Sequence, residues 1–142
     1  MNNDKLGLTL PQIWGIPSPS GDFGLEFECE GTLIPFHSPY WTAKEDHSLR
    51  HGYEWVTNKP YSINKLETIL NNFFENANAN NCLFTDSIRT SIHVHINASK
   101  YKLIEIYNIL TAYYLLEPLL VKYSGPNREG NLFCLRISDA DY

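Results

Sequence analysis

The clearest pattern in the chain is a strict alternation over residues 23–30, where Phe23, Leu25, Phe27 and Cys29 interleave with Gly24, Glu26, Glu28 and Glu30. Successive side chains of a strand point to opposite faces. This period of two therefore predicts a β-strand with one buried apolar face and one face carrying a row of carboxylates. Gly31 then punctuates it. A second strand is expected over 52–57 (GYEWVT), closed by Asn58, Lys59 and Pro60, and a third over 89–98 (RTSIHVHINA), with Ile92, Val94 and Ile96 facing the core. Residues 131–137 (NLFCLRI) read as a last strand. The period changes to a helical one at Leu66, Ile69, Leu70, Phe73 and Phe74, which predicts a helix over about 63–75 with Ser62 or Asn64 as its cap. A second apolar stripe, Leu103, Ile106, Tyr107, Leu110, Tyr113 and Tyr114, predicts a helix from Ser99 to about 116, limited by Pro118. Residues 1–22, with Pro11, Pro17, Pro19 and Gly21, read as an extended arm, and 32–50 and 76–81 read as loops. Strands bracketing two helices imply an α+β fold, an antiparallel sheet with helices packed on one face, in a single domain over 23–142.

Composition narrows the setting. The 142 residues are 43% apolar and 13% aromatic, enough for one domain with a sizeable core. A net charge of −5 argues against a nucleic-acid backbone as partner, since that role needs a dense Lys/Arg surface. Three cysteines, Cys29, Cys82 and Cys134, have no CxxC spacing. They fit small buried hydrophobes of a reduced protein rather than a disulfide framework. Neither a signal segment nor an apolar run long enough to span a bilayer is recognised, so a cytoplasmic protein with no membrane partner is expected.

The candidate chemistry lies on the strands. Glu26, Glu28 and Glu30 on one face repel one another unless cations intervene, and Mg²⁺ takes oxygen ligands, commonly together with substrate phosphates. The same pattern also serves a solvated edge strand that blocks aggregation by charge. His93 and His95, two apart on a strand, share a face and suit a metal, a phosphate or a carboxylate. They suit an ordinary hydrogen-bonded surface pair as well. Glu54 lies between Tyr53 and Trp55 on the face opposite theirs, exposed or recruited to a site. Arg89 and Arg128 carry the planar fork that binds phosphate or carboxylate with two parallel hydrogen bonds, although a lone arginine is more often a surface residue. The turn Ser124-Gly125-Pro126-Asn127 lacks the arrangement of a phosphate loop, and His47 and His51 near Ser48 make no nucleophile triad by proximity alone.

Taken in order, these segments resemble the amidoligase family, glutamine synthetase-like carboxylate–amine ligases of phages and bacteria. The resemblance rests on Phe23-Gly24-Leu25-Glu26-Phe27-Glu28, on the segment from Asp46 through Gly52-Tyr53-Glu54 to Pro60, on Ser91-x-His93-Val94-His95-x-Asn97, and more loosely on Arg128 with Asn131 and Cys134. It implies a glutamine synthetase-like sheet that binds ATP and Mg²⁺ and activates a carboxylate as an acyl phosphate, which an amine attacks to form an amide. Glu26, Glu28, Glu54 and His93 would then be metal ligands, and His93, His95 and Arg128 would contact the nucleotide. Arg128 and Arg89 would steady transferred charge. Substrates would be a small-molecule or peptide carboxylate and an amine, in a bacterial or phage-infected cell. Relatives continue into a further Arg-Gly-x-x-Glu-x-Arg-type strand that does not follow here, so an incomplete catalytic domain is expected. A second copy or another chain would complete the site. The alternatives are a non-catalytic binding remnant of such a domain and a different metal-dependent enzyme.

Overall fold

The computed structural model describes residues 5–18, 20–126 and 136. Its contacts group the chain into two units, Pro19–Asn97 and Met1–Ser18 with Ala98–Tyr142, where the sequence suggests an arm and one domain. Of the strand expected over 131–137 only residue 136 is among the described residues, and Arg128 lies outside them.

The first unit is built on a five-stranded sheet: β1 (Phe23–Thr32), β2 (Trp41–Glu45), β3 (Gly52–Thr57), β4 (Leu83–Thr85) and β5 (Ser91–Ile96). All pairings are antiparallel, in the order β2-β3-β1. The far side of β1 is shared end to end, with β5 along Phe23 to Glu28 and β4 along Glu30 to Thr32. The change of partner falls at Cys29, and within the β4 pairing Gly31 has a φ of 139° and a position that would leave a Cβ only 2.1 Å from the Leu83 carbonyl oxygen. Only glycine fits there.

The alternation along β1 does what its period requires: Phe23, Leu25 and Phe27 are buried and Gly24, Glu26 and Glu28 lie on the other face. Trp41 and Trp55 pack beside them at 0% exposure. Their indole nitrogens donate to the carbonyls of Ile69 (3.0 Å) and Phe36 (3.2 Å), so neither N–H is buried without an acceptor. The helix α2 (Leu66–Ala79) covers this face with Ile69, Phe73 and Ala77. Phe73 lies at the centre of the aromatic cluster, 4.8 Å from Phe27 and 5.1 Å from Trp41 between ring centres. The class is α+β, with an open antiparallel sheet and a helix packed on its apolar face.

Several expectations need correction. Residues 32–50 are not all loop, because Trp41–Glu45 forms β2, with Trp41 and Ala43 turned to the core. The polar run 76–79 continues α2 rather than forming a loop. Buried Ala77 anchors it, and the Asn76 and Asn80 amides each donate 2.8 Å bonds to the carbonyl four residues back. Ser62 and Asn64 make no side-chain cap, since Asp22 takes that role by accepting from the Ile63 N–H at 3.1 Å just before α2. Ile92, Val94 and Ile96 do lie on the apolar face, opposite Phe27, Leu25 and Phe23, yet they are exposed at 68%, 59% and 64%. They sit on the strand beyond the area that α2 covers.

Cys82 is buried and Cys29 half-buried. Burial, with Cys82 and Glu28 nearby, pushes the Cys29 thiol up to about 12, which suits an inert packing role.

In the second unit, α1 (Leu10–Trp14) replaces part of the expected extended arm. The Gln12 side chain accepts from the Thr9 N–H at 2.9 Å, and Gly15 closes the helix in a left-handed conformation. Thr9 forms a bridge to Lys102, and Leu103 N–H donates to the Leu8 carbonyl at 2.8 Å. The helix α3 (Leu103–Tyr123) starts at Lys102 rather than Ser99, with Glu105 accepting from the Lys102 N–H at 2.7 Å. It runs through Pro118, which forfeits one backbone bond without stopping the helix. At 21 residues, about 32 Å long, α3 is by length and composition able to cross a membrane. This corrects the expectation that no apolar run is long enough, although core helices of soluble proteins meet the same test.

Candidate functional site

Antiparallel register assembles the site. Glu28 pairs with Glu54, and Glu54 with Lys44. Across the other side of β1, Glu26 pairs with His93, Gly24 with His95 and Glu28 with Ser91. Paired residues in antiparallel strands point to the same side. Four strands therefore deliver three carboxylates, two imidazoles, a hydroxyl and an ammonium to the face opposite the aromatic core.

The side chains meet closely. His93 Nδ1 lies 3.0 Å from Glu26 Oε1, and its Nε2 lies 2.8 Å from Ser91 Oγ and 3.7 Å from Glu28 Oε2. The Ser91 hydroxyl also hydrogen-bonds to Glu28 Oε2. His95 Nε2 is 3.1 Å from the second Glu26 oxygen. Ligand atoms from Glu26, Glu28 and His93 all lie within 4.8 Å of one another, a cluster of the size that one metal ion spans. A neutral imidazole donates at one nitrogen and keeps a lone pair on the other, so His93 can be held by one carboxylate while its second nitrogen serves as a ligand.

Electrostatics separates the carboxylates. Burial, a hydrogen bond to Glu26 and that neighbour's charge raise the Glu54 carboxyl above its usual range, against the pull of Lys44. Burial also works to raise Glu26, but hydrogen bonds from His95, Glu54 and His93 together with the His93 charge outweigh it and hold Glu26 low. Two carboxyls that cannot both ionise cheaply share a proton. The opposite shifts of Glu26 and Glu54 mark a pair of carboxyls whose joint ionisation a divalent cation would ease.

Glu30, the third member of the ExExE row, is drawn away from the cluster. At 8% exposure it accepts from the Arg50 N–H at 2.7 Å. That backbone hydrogen bond is the largest cause of its lowered pKa, outweighing burial, with help from Ser87, Arg50 and Arg89. Arg89 lies at this end of β1 and donates to the Ser48 carbonyl. Asp46 accepts from the Ser48 N–H at 2.8 Å and from its hydroxyl at 2.9 Å. Glu30, Arg89 and Asp46 thus fasten the 46–50 loop, while Glu26, Glu28, Glu54, His93 and His95 converge as one cluster.

Three further groups stand at the cluster: Ser91, Lys44 and Gly24. Ser91 carries no chemical signal in the sequence beyond its place two residues before His93. Lys44 is legible in the alternation of Trp41, Thr42, Ala43 and Lys44, which the Pro-rich surroundings obscure. Gly24 is an interior strand glycine, a type that often marks close approach of another group.

A family model described as "Putative amidoligase enzyme" matches residues 40–141. The match takes in Glu54, Arg89, His93, His95 and Arg128 and begins after β1, which carries Glu26 and Glu28. No curated protein and no solved structure matches the chain. A ligase-type activity is what the family description names, and by a match over most of its length the chain belongs to the amidoligase family.

Proposed function

We propose that the chain is an ATP- and Mg²⁺-dependent carboxylate–amine ligase of glutamine synthetase-like design, working through an acyl phosphate. The observation that carries this reading is the convergence of Glu26, Glu28 and His93 within 4.8 Å, beside Glu54. The donor set fits the ion: carboxylate oxygens predominate, as Mg²⁺ prefers, and Glu54 beside them is raised by burial and by the charge of Glu26, so the place favours positive charge. Glu26, Glu28, Glu54 and His93 would hold the ion. Bound there, Mg²⁺ would neutralise charge on the phosphate oxygens during transfer.

The chain's own residues then have positioning tasks. Ser91 and His93 orient Glu28 and Glu26, and His95 holds the second Glu26 oxygen. His93 and His95, on the exposed side of the cluster, would meet the nucleotide phosphates. A substrate carboxylate oxygen would attack the γ-phosphorus with ADP leaving. The amine would then attack the acyl carbon with phosphate leaving, so each amide formed accounts for one ATP. Arg128 would steady the transferred charge, a role for which Arg89, bonded to the Ser48 carbonyl at the Glu30 end of β1, is less well placed. The substrates would be small-molecule or peptide acids and amines.

Incubating the full chain with ATP, Mg²⁺ and paired acids and amines should release ADP and phosphate only when both partners are present. Absence of release with every pair, from a folded chain, sinks the proposal. If that chain also binds no Mg²⁺-nucleotide, it is a non-catalytic domain. One observation favours a second reading. His93 and His95 both approach Glu26, giving a mixed nitrogen–oxygen donor set that suits Zn²⁺ or Mn²⁺ in a different metal enzyme. Zinc retained through purification, measured by elemental analysis, would favour it.

A further inference from the structure

Beside the cluster, at the Phe23–Gly24 end of β1, lies a groove of about 400 Å³. Gly24, one pleat from Glu26, lines it between Thr57 and His95, and Lys44 and Lys59 are among the other lining residues. Gly24 is not there for its backbone, since its φ lies outside the region that favours glycine. What it provides is space: a Cβ would sit 3.2 Å from Thr57 Oγ1 and 3.8 Å from His95 Cβ, narrowing the gap between them. A glycine within a strand often marks close approach by another group, and Gly24 is the second residue of β1. Lys59 is held over the Tyr61 ring at 5.6 Å, and Lys44 sits directly across from Glu54. Two ammonium groups beside a carboxylate cluster attract an anion that the carboxylates alone would repel, and the apolar walls suit a ligand with an apolar body.

We propose that the groove over Gly24 seats the anionic end of a reactant, a phosphate chain or a carboxylate, with Lys44 and Lys59 as its cationic contacts. This rests on the ligase reading and deepens it by giving the reactant a place next to Glu26. The test uses the full chain and two probes, tripolyphosphate and glutarate, titrated calorimetrically with Mn²⁺ present, while Mn²⁺ binding alone is followed by electron paramagnetic resonance. One probe should bind, and its identity distinguishes phosphate from carboxylate. Lys44→Ala and Lys59→Ala should each weaken that probe by about tenfold or more, the size of one charged hydrogen bond. Lys44→Arg should restore binding, and Gly24→Val should abolish it, with Mn²⁺ binding unchanged in Lys59→Ala and not weakened in Lys44→Ala, which removes a cation beside Glu54. The proposal is overturned if the unaltered chain takes up neither probe, if the variants bind as tightly as it does, or if Mn²⁺ binding falls in parallel. Amide synthesis that survives all these changes sinks the groove and leaves the ligase standing. Probe binding that responds as expected, in a chain that makes no amide, sinks the ligase reading alone.

Discussion

The two strands that flank β1 through Glu26 carry the same alternation and meet different fates. On the β3 side, Trp55 lies opposite Phe27 and is fully buried, because α2 and Phe73 close over it. On the β5 side, Ile92 lies opposite the same Phe27 and remains 68% exposed. The opposite face of both strands contributes to the carboxylate cluster, Glu54 from one side and His93 and His95 from the other. Alternation decides which face a residue occupies, whereas coverage by another element decides whether that face is a core. The well-packed flank supplies rigidity, and the lightly packed flank supplies both histidines.

The largest way to break this contrast is Phe73→Ala. It should cost about 3–5 kcal/mol by denaturant unfolding, because the cavity opens among Phe27, Trp41 and Trp55. A value near zero would mean that the aromatic cluster does not hold the covered flank together.

Glu26→Gln comes next, since Glu26 bonds to both histidines. Mn²⁺ affinity should fall by at least the roughly 10–100-fold seen when a group that merely orients a ligand is lost. Affinity should also depend on pH with a definite sign. Glu54 holds its proton above the ordinary carboxyl range, so metal must displace it, and binding strengthens as pH rises through that raised value. Calorimetry in buffers of different ionisation enthalpy should show proton release in that window, and Glu54→Gln should remove it.

Glu30→Gln tests the third glutamate of the row, which serves the fold instead. Loss of its charged bond to the Arg50 N–H should cost about 1–3 kcal/mol. The pKa of Glu30 is lowered by folding. Its contribution is therefore present above the unfolded carboxyl value and fades as pH falls through the lowered one. Acid unfolding curves of the parent and Glu30→Gln should converge at low pH; parallel curves would exclude this role.

The smallest expected effect sharpens the contrast from the other side. Val94→Ala, at an exposed position of β5, should change stability by no more than about 0.5 kcal/mol. A loss comparable to that of Phe73→Ala would show that the β5 flank is as tightly covered as the β3 flank.

The sequence by itself determined the local periods. The existence of β1 and β5, the span of β3, the face of each residue and the apolar stripe of α2 follow from the backbone geometry of strand and helix, which repeats every two or 3.6 residues. The full extents of the other two strands do not, since β1 runs on through Gly31 to Thr32 and β5 is confined to Ser91–Ile96. The likeness to amidoligases was legible too, in Glu54 and the His93/His95 pair within the matched segment. Only the tertiary structure decided matters that depend on partners distant in the chain. It set Glu26 between His93 and Glu54, drew Glu30 out of the row to hold a loop, and made Asp22 the cap at Ile63, 41 residues away. It also revealed β2, too short to stand out until Trp41 found Phe73 and Ile69, and with it Lys44. A carboxylate's role is set by what neutralises or desolvates it. Those neighbours come from register and packing, which no local period encodes.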